Sequence, residues 1–304
     1  MESMPVVVGV DGSEESLRAA EWAAREAQRH RVPLRIVSAP AMPPRMHAYD
    51  TVPQTVASAL RTRAAGALGE AVGRAGEVTS GLLVEADLLT GIPALAVTDC
   101  GTDARMLVVG ARGVGGFAAM LLGSISRYVS MHAACPVVVA QEETSAAHLE
   151  VVVGVRDPHD TADTLGFAFE EADLRHATLV AVHSRWLPAA VGGLAGDGPG
   201  HSAHREQALD EASSALSKAL DGWRDKYPAV PVRLDVVNDH PAKVLACYSS
   251  RADLVVIGRH GAPGRHPAIG AIQHAVLNHA HGPVAMVPSR VLGRAQTSSS
   301  RPVA

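Results

Sequence analysis

The segment GARGVGGFAAMLLGS, residues 110–124, places glycines at 110, 113, 115, 116 and 123 and ends on Ser124. It follows the apolar run MLVVG and precedes a segment with helical periodicity. Gly110 ends a strand where a side chain would block a ligand, and Gly113, with Gly115 and Gly116, lets the backbone turn its N–H groups inward. Gly123 and Ser124 then open a helix whose unpaired N–H groups and dipole favour an anion, with the Ser124 hydroxyl as an added donor. The spacing Gly110-x2-Gly113-x9-Gly123-Ser124 is suited to holding phosphate. A carboxylate joins it from elsewhere in the chain: Asp11, in VVVGVDGSEES (residues 6–16), stands just past an apolar run and before Gly12. Each feature has a plainer reading, since glycine-rich connections are often only tight turns and Asp commonly caps a helix.

Other phosphate and dinucleotide chemistries are excluded by inspection. GxxxxGK[ST] is absent and residues 1–150 contain no lysine, so no P-loop lysine serves this segment. After the first apolar run the chain reads Gly9-Val10-Asp11-Gly12, without GxGxxG, which argues against NAD or FAD. Five histidines of the second half, His260, His266, His274, His279 and His281, have no recognised ligand spacing, so no metal site is expected. Arg112 and Arg127 are within reach of a phosphate in principle, but exposed arginines are ordinarily solvated. A net charge of −4 gives no basic footprint for nucleic acid or anionic membrane. Neither a leader segment nor an 18-residue apolar run is evident, and a cytoplasmic protein is expected. The cysteines, Cys100, Cys135 and Cys247, are odd in number and widely spaced. All three read as small buried apolar residues.

The elements that must position these residues recur. VVVGV at 6–10 returns at 151–155, IPALAV at 92–97 as HPAKVL at 240–245, MLVVGARG at 106–113 as LVVIGRHG at 254–261, and HAACPVVVA at 132–140 as HAHGPVAMV at 279–287. The offsets are 145, 148, 148 and 147 residues, so the second half repeats the first. Domains are expected at 1–145 and 150–290, followed by a disordered tail at 291–304, with a flexible loop at 192–205. Within the first repeat, strands are expected at 6–10, 34–39, 81–88, 105–109 and 136–140. Helices are expected after Ser13 as N-cap, over 56–73, from Ile92-Pro93 and over 124–134. Continuous apolar strands alternating with helices mean an open parallel sheet covered on both faces. In such a sheet ligands bind beyond the carboxyl ends of the strands, where Asp11 and the glycine segment both fall.

VVVGVDGSEES, the long glycine signature and the closing CPVVVA resemble the universal stress protein family in its tandem-domain, actinobacterial form, over essentially the whole chain. The resemblance implies two doubly wound five-stranded α/β domains, Rossmann-like and of the adenine nucleotide alpha hydrolase type. It also implies ATP as ligand, with magnesium. In it Asp11 and Gly12 meet the adenosine, backbone near Ala39 meets the adenine, and Gly110, Gly113, Gly115, Gly123 and Ser124 hold ribose and phosphates. A dimer and a role in stress, dormancy or growth regulation follow from the same resemblance. The second repeat departs from it: Arg156 stands for Asp11, Asp157 for Gly12, and the signature shortens to Gly258-x2-Gly261-x8-Gly270-Ala271. Weak or absent ATP binding is therefore expected there. Three functional classes stand: a nucleotide-dependent regulator, a slow ATPase, and a nucleotide-independent scaffold. The first is preferred, because no Glu or His lies within 111–130 to serve as a base for an ATPase and the intact signature of the first repeat does not suit a nucleotide-free scaffold. The apolar fifth strands, at the edges of their sheets, invite pairing within or between chains.

Overall fold

Runs of valine become the central strands, because β-branched side chains suit a pleated surface buried on both faces. The computed structural model describes residues 4–42, 52–113, 122–141, 147–157, 161–184, 199–259 and 270–289. It divides into two units, Met1–Glu142 and Glu143–Ala304, each taken here by itself.

In the first unit β1 (Val6–Gly9) leads to α1 (Glu14–His30), β2 (Leu34–Ser38) to α2 (Gln54–Val78), and β3 (Val84–Leu88) to α3 (Pro93–Asp99) with a 3-10 turn (Cys100–Thr102). β4 (Met106–Gly110), α4 (Ser124–His132) and β5 (Val137–Ala140) complete it. The strands are parallel in the order β3-β2-β1-β4-β5, with Val6 facing Leu34 on one side and Met106 on the other. The chain leaves β1 in one direction and returns past it to β4, so right-handed crossovers put α1 and α2 together on one face and α3 and α4 on the other. The reversal makes the carboxyl ends of β1 and β4 the switch point of the sheet.

Capping and packing fix α1. Ser13 accepts from the Ser16 N–H, Glu14 and Glu15 occupy the first turn, and Leu17, Ala20, Ala24 and Ala27 are buried. Against it lies α2, tied by Arg74, which bonds Glu21 at 2.8 Å and Glu14 at 3.1 Å. α2 buries Ala64, Ala67, Leu68, Ala71 and Ala75, while Gly66, Gly69, Gly73 and Gly76 line its solvent side. A β-carbon at any of those four would meet nothing within 4 Å.

The second unit repeats the topology. β6 (Glu150–Gly154), α5 (Ala162–Arg175), β7 (Thr178–Ser184), α6 (Pro199–Lys226), β8 (Val232–Val237), α7 (Pro241–Ser249), β9 (Leu254–Arg259), α8 (Ala271–His279) and β10 (Val284–Pro288) follow in turn. Its parallel strands run in the order β10-β9-β6-β7-β8. Here α5 meets α6 through aromatic rings: Phe169 stacks 6.0 Å from Trp223 and 5.8 Å from Tyr227. Gly166 makes room for this, since a β-carbon there would come within 2.7 Å of the Trp223 ring.

Several expectations need correction. α2 runs from Gln54 to Val78, beyond 56–73, and β3 begins at Val84 because Gly81 adopts φ +74°, which interrupts an extended strand. Of the expected loop at 192–205, residues from Pro199 onward are helical, in a run of strong helix formers. Residues 192–198 and the tail at 291–304 lie outside the described residues. Cys135 is buried, but Cys100 is half-buried and Cys247 exposed. The inward face of α7 is taken by Ala242, Leu245, Tyr248 and Ser249, which turns position 247 outward.

Candidate functional site

The β1–α1 connection is locked by short polar side chains. Asp11 Oδ1 accepts from the Ser13 N–H (3.0 Å) and the Ser13 hydroxyl (2.6 Å), and the Asp11 N–H donates to Ser16 Oγ (3.2 Å). Ser16 Oγ donates in turn to the Ser13 carbonyl (2.8 Å). The helix cap is Ser13, so Asp11 orients the cap instead of being it. Gly12 follows at φ +83°, a left-handed turn that a side chain would strain, with space for a β-carbon limited by Ala67 of α2 at 3.3 Å. From β2, the Ser38 hydroxyl donates to the Val10 carbonyl (2.8 Å), which fixes Ala39 just past the strand end beside this turn.

Across the switch point the glycines divide by role. A β-carbon on Gly113 would lie 2.3 Å from Asp11 Oδ2, so the Asp11 carboxylate occupies the space that a side chain at 113 would need. The glycine segment and Asp11, 102 positions apart in sequence, thus meet. Gly113 is not in a left-handed conformation; its glycine is required by space and not by a turn. Gly110 is likewise a packing glycine. Its β-carbon would meet the Glu15 carbonyl oxygen at 2.9 Å, so it permits β4 to approach the start of α1 instead of facing a ligand.

Gly123 is the N-cap of α4, its N–H bonded to the Ala111 carbonyl (2.7 Å), and without a side chain it leaves the helix start uncapped. Ser124 is exposed at the first helical position. Ser126, buried in the same turn, donates to the Gly110 carbonyl (2.6 Å) and ties this helix start to the end of β4. Arg112 pairs with Glu15 (3.3 Å), and Arg127 is exposed. Gly115 lies outside the described residues, as does Gly116. The arrangement joins an oriented carboxylate, a left-handed glycine turn and an uncapped helix N-terminus at the switch point. Such a set can hold a ligand with hydroxyls at one end and negative charge at the other.

The serines that lock these loops, Ser16, Ser38 and Ser126, were not among the predicted site residues. Each sits one to four positions from a predicted one, and that proximity is the available signal.

The second unit keeps the frame and changes the contents. Arg156 and Asp157 are exposed where Asp11 and Gly12 stood. His183 takes the place of Ser38, its Nδ1 donating to the Val155 carbonyl (2.9 Å). Ser184 bonds the Asp239 carbonyl, and the Lys243 ammonium, 2.7 Å from the Asp239 carboxylate, holds that acid below its usual range and is itself raised by it. At the start of α8, Gln273 Nε2 donates to the Gly258 carbonyl (3.3 Å). His274, His279 and His281 are exposed, and His260, His266 and Gly261 lie outside the described residues. A cavity of about 720 Å³ runs along Gln207, Asp210, Glu211 and Lys218 of α6, and none of the predicted site residues lines it.

Two open parallel α/β units, each with its switch point at the carboxyl ends of the strands, define a tandem doubly wound α/β protein. The family model of the universal stress protein family matches residues 3–141 and again 149–288, and the chain belongs to that family. It is 35% identical over 296 residues to universal stress protein Rv2005c of Mycobacterium tuberculosis, covering 92% of this chain and 95% of that one. It is 32% identical over 297 residues to a universal stress protein of Mycolicibacterium smegmatis, covering 94% and 97%. Among solved structures, a universal stress protein from Archaeoglobus fulgidus shares the fold at a TM-score of 0.67, with 16% identity over 93% of this chain and 96% of that one. No helix among the described residues is long and apolar enough to cross a membrane.

Proposed function

We propose that the first unit binds an adenine nucleotide, ATP accompanied by magnesium, and that its occupancy regulates a protein partner during stress or dormancy in the cytoplasm. The observation that carries this reading is the meeting of Asp11 with Gly113, where the carboxylate fills the space a β-carbon would take. A residue that must be glycine to admit a carboxylate, beside an uncapped helix start, fits a nucleoside hydroxyl contact at one end and phosphates at the other. In this reading Asp11 and Gly12 receive the ribose, and backbone at Ala39 faces the adenine. Gly113, Gly115, Gly123 and Ser124 take the phosphates, and Gly110 serves by letting β4 close on α1. Magnesium, when bound with the nucleotide, supplies charge neutralisation at the phosphates. Asp11 is held by Ser13 and Glu15 by Arg112, and residues 122–130 add no carboxylate or imidazole to activate water, so hydrolysis is slow or incidental.

The test is calorimetric titration of nucleotide-stripped protein with Mg-ATP, alongside Asp11→Ala with its fold checked by circular dichroism. A single site per chain that Asp11→Ala weakens about tenfold or more supports the reading. No binding, or equal binding by the variant, removes it. The reading includes a homodimer, which sedimentation equilibrium with and without nucleotide measures.

A further inference from the structure

The two units start their fourth crossover helices in nearly the same way: Gly123-Ser-Ile-Ser126 opens α4 and Gly270-Ala-Ile-Gln273 opens α8, each glycine being the N-cap. The third helical residue differs in reach. In α4 the Ser126 hydroxyl bonds the Gly110 carbonyl at 2.6 Å and stays 3.7 Å from a β-carbon placed on Gly123, so that among the described residues only ordinary contacts meet that position. In α8 the longer Gln273 side chain makes the matching bond to the Gly258 carbonyl, at 3.3 Å, through Nε2. Its Oε1 then projects over the N-cap, 2.2 Å from a β-carbon placed on Gly270. The amide thus carries an oxygen into the volume where the first unit offers N–H groups to an anion.

We propose that Gln273 shuts the second unit to phosphate-bearing ligands, so that one side chain at the third helical position sets which unit can be loaded. The inference rests on the nucleotide reading of the first unit. It differs from simple loss of the signature, because the obstruction is a side chain tethered through Nε2 to the Gly258 carbonyl and is removable. A glutamine at this position also suits a helix start by reaching back toward the N-cap, and a role confined to capping would show in stability alone.

The experiment has two arms. In the first unit, Ser126→Gln transplants the obstruction and Ser126→Ala removes the hydroxyl without filling space. The expected result is that Ser126→Gln binds Mg-ATP about tenfold or more weakly than Ser126→Ala, which loses the bond to the Gly110 carbonyl without filling the space. Equal affinities for the two variants overturn the proposal. In the second unit, Gln273→Ser is titrated with inorganic triphosphate while the backbone amide resonances of Ala271 and Ile272 are followed. Saturable shifts in Gln273→Ser but not in wild type support it. The same response in both proteins, or a change only in unfolding midpoint, overturns it, and Gln273→Ala serves as a second opening variant if the serine variant folds poorly. Should wild type bind no ATP at all, the proposed function falls, and the triphosphate arm still decides the role of Gln273.

Discussion

Gly113→Ala isolates the contact on which the site depends. The new β-carbon would sit 2.3 Å from Asp11 Oδ2, about 1 Å inside the 3.4 Å edge of ordinary contact. Among the described residues the three nearest atoms to it all belong to Asp11, so the carboxylate must swing away and nothing else need move. Swinging it draws Oδ1 off the Ser13 N–H and hydroxyl. Hydrogen bonds to a charged group are worth about 1.5–3 kcal/mol each. The pair is only partly buried, and the alanine lowers unfolded-state entropy by about 0.4–1 kcal/mol, so a net destabilisation of about 0.5–2 kcal/mol is expected. If the displaced carboxylate loses one charge-assisted bond to the nucleotide, Mg-ATP affinity falls about 10- to 150-fold. The decisive assay is a double-mutant cycle read by calorimetry and by denaturant unfolding. In an Asp11→Ala background the clash has no partner, so adding Gly113→Ala should change affinity and stability little. Losses that simply add across the cycle would refute the argument, because they would mean that residue 113 acts independently of Asp11.

Other outcomes follow from the packing. Gly166→Ala drives a methyl into the Trp223 ring, which is stacked on Phe169 and cannot yield easily, and should cost about 1–3 kcal/mol in urea unfolding. Gly69→Ala, in open space on α2, should instead stabilise by about 0.5–1 kcal/mol in the same measurement. A thiol reagent should label Cys247 rapidly in the native protein and reach Cys100 and Cys135 fully only on unfolding, as peptide mapping would show. Burial pushes the Cys100 thiol above its ordinary range, so the folded chain holds that proton to higher pH than the unfolded one. Its contribution is whole below the ordinary cysteine range and is lost as pH rises from there through the raised folded value, so Cys100→Ala should flatten the fall in unfolding midpoint at pH above about 8.5.

The alternation of strands and helices was legible because valine runs, the Ser13 cap and the proline at the start of α3 each act over a few residues, where sequence neighbours are spatial neighbours. The repeat made the second unit legible for the same reason. The glycines of the site were legible as glycines but not in their reasons. Nothing in the letter at 110 or 113 says which distant atom takes the vacated space, and the answers, the Glu15 backbone and the Asp11 carboxylate, come from the close approach of β4 to β1 and α1. Cys247 shows the opposite case. The spacing of Ala242, Leu245 and Tyr248 already turns it outward, and judging cysteine by composition instead of by helical phase gave the wrong side. Gln273 could not be weighed from sequence, since its effect depends on where the end of a flexible side chain is tethered.

The four open glycines of α2 bear on how the site is entered. Each costs a helix about 1 kcal/mol relative to alanine, so together they remove roughly 3–4 kcal/mol from a unit whose whole stability is on the order of 5–15 kcal/mol. α2 is therefore held to the sheet by its alanine and leucine contacts and by Arg74, with little persistence of its own. Such a segment opens by local unfolding well before the strands do. Its Ala67 rests against Gly12, so each opening unroofs one wall of the crevice while the Asp11 turn, pinned by Ser13 and Ser16, keeps its shape. The first unit in this sense sets a rigid turn beside a yielding wall, and under the proposed function the rate at which a ligand enters or escapes would be paced by the breathing of α2 and not by the strands.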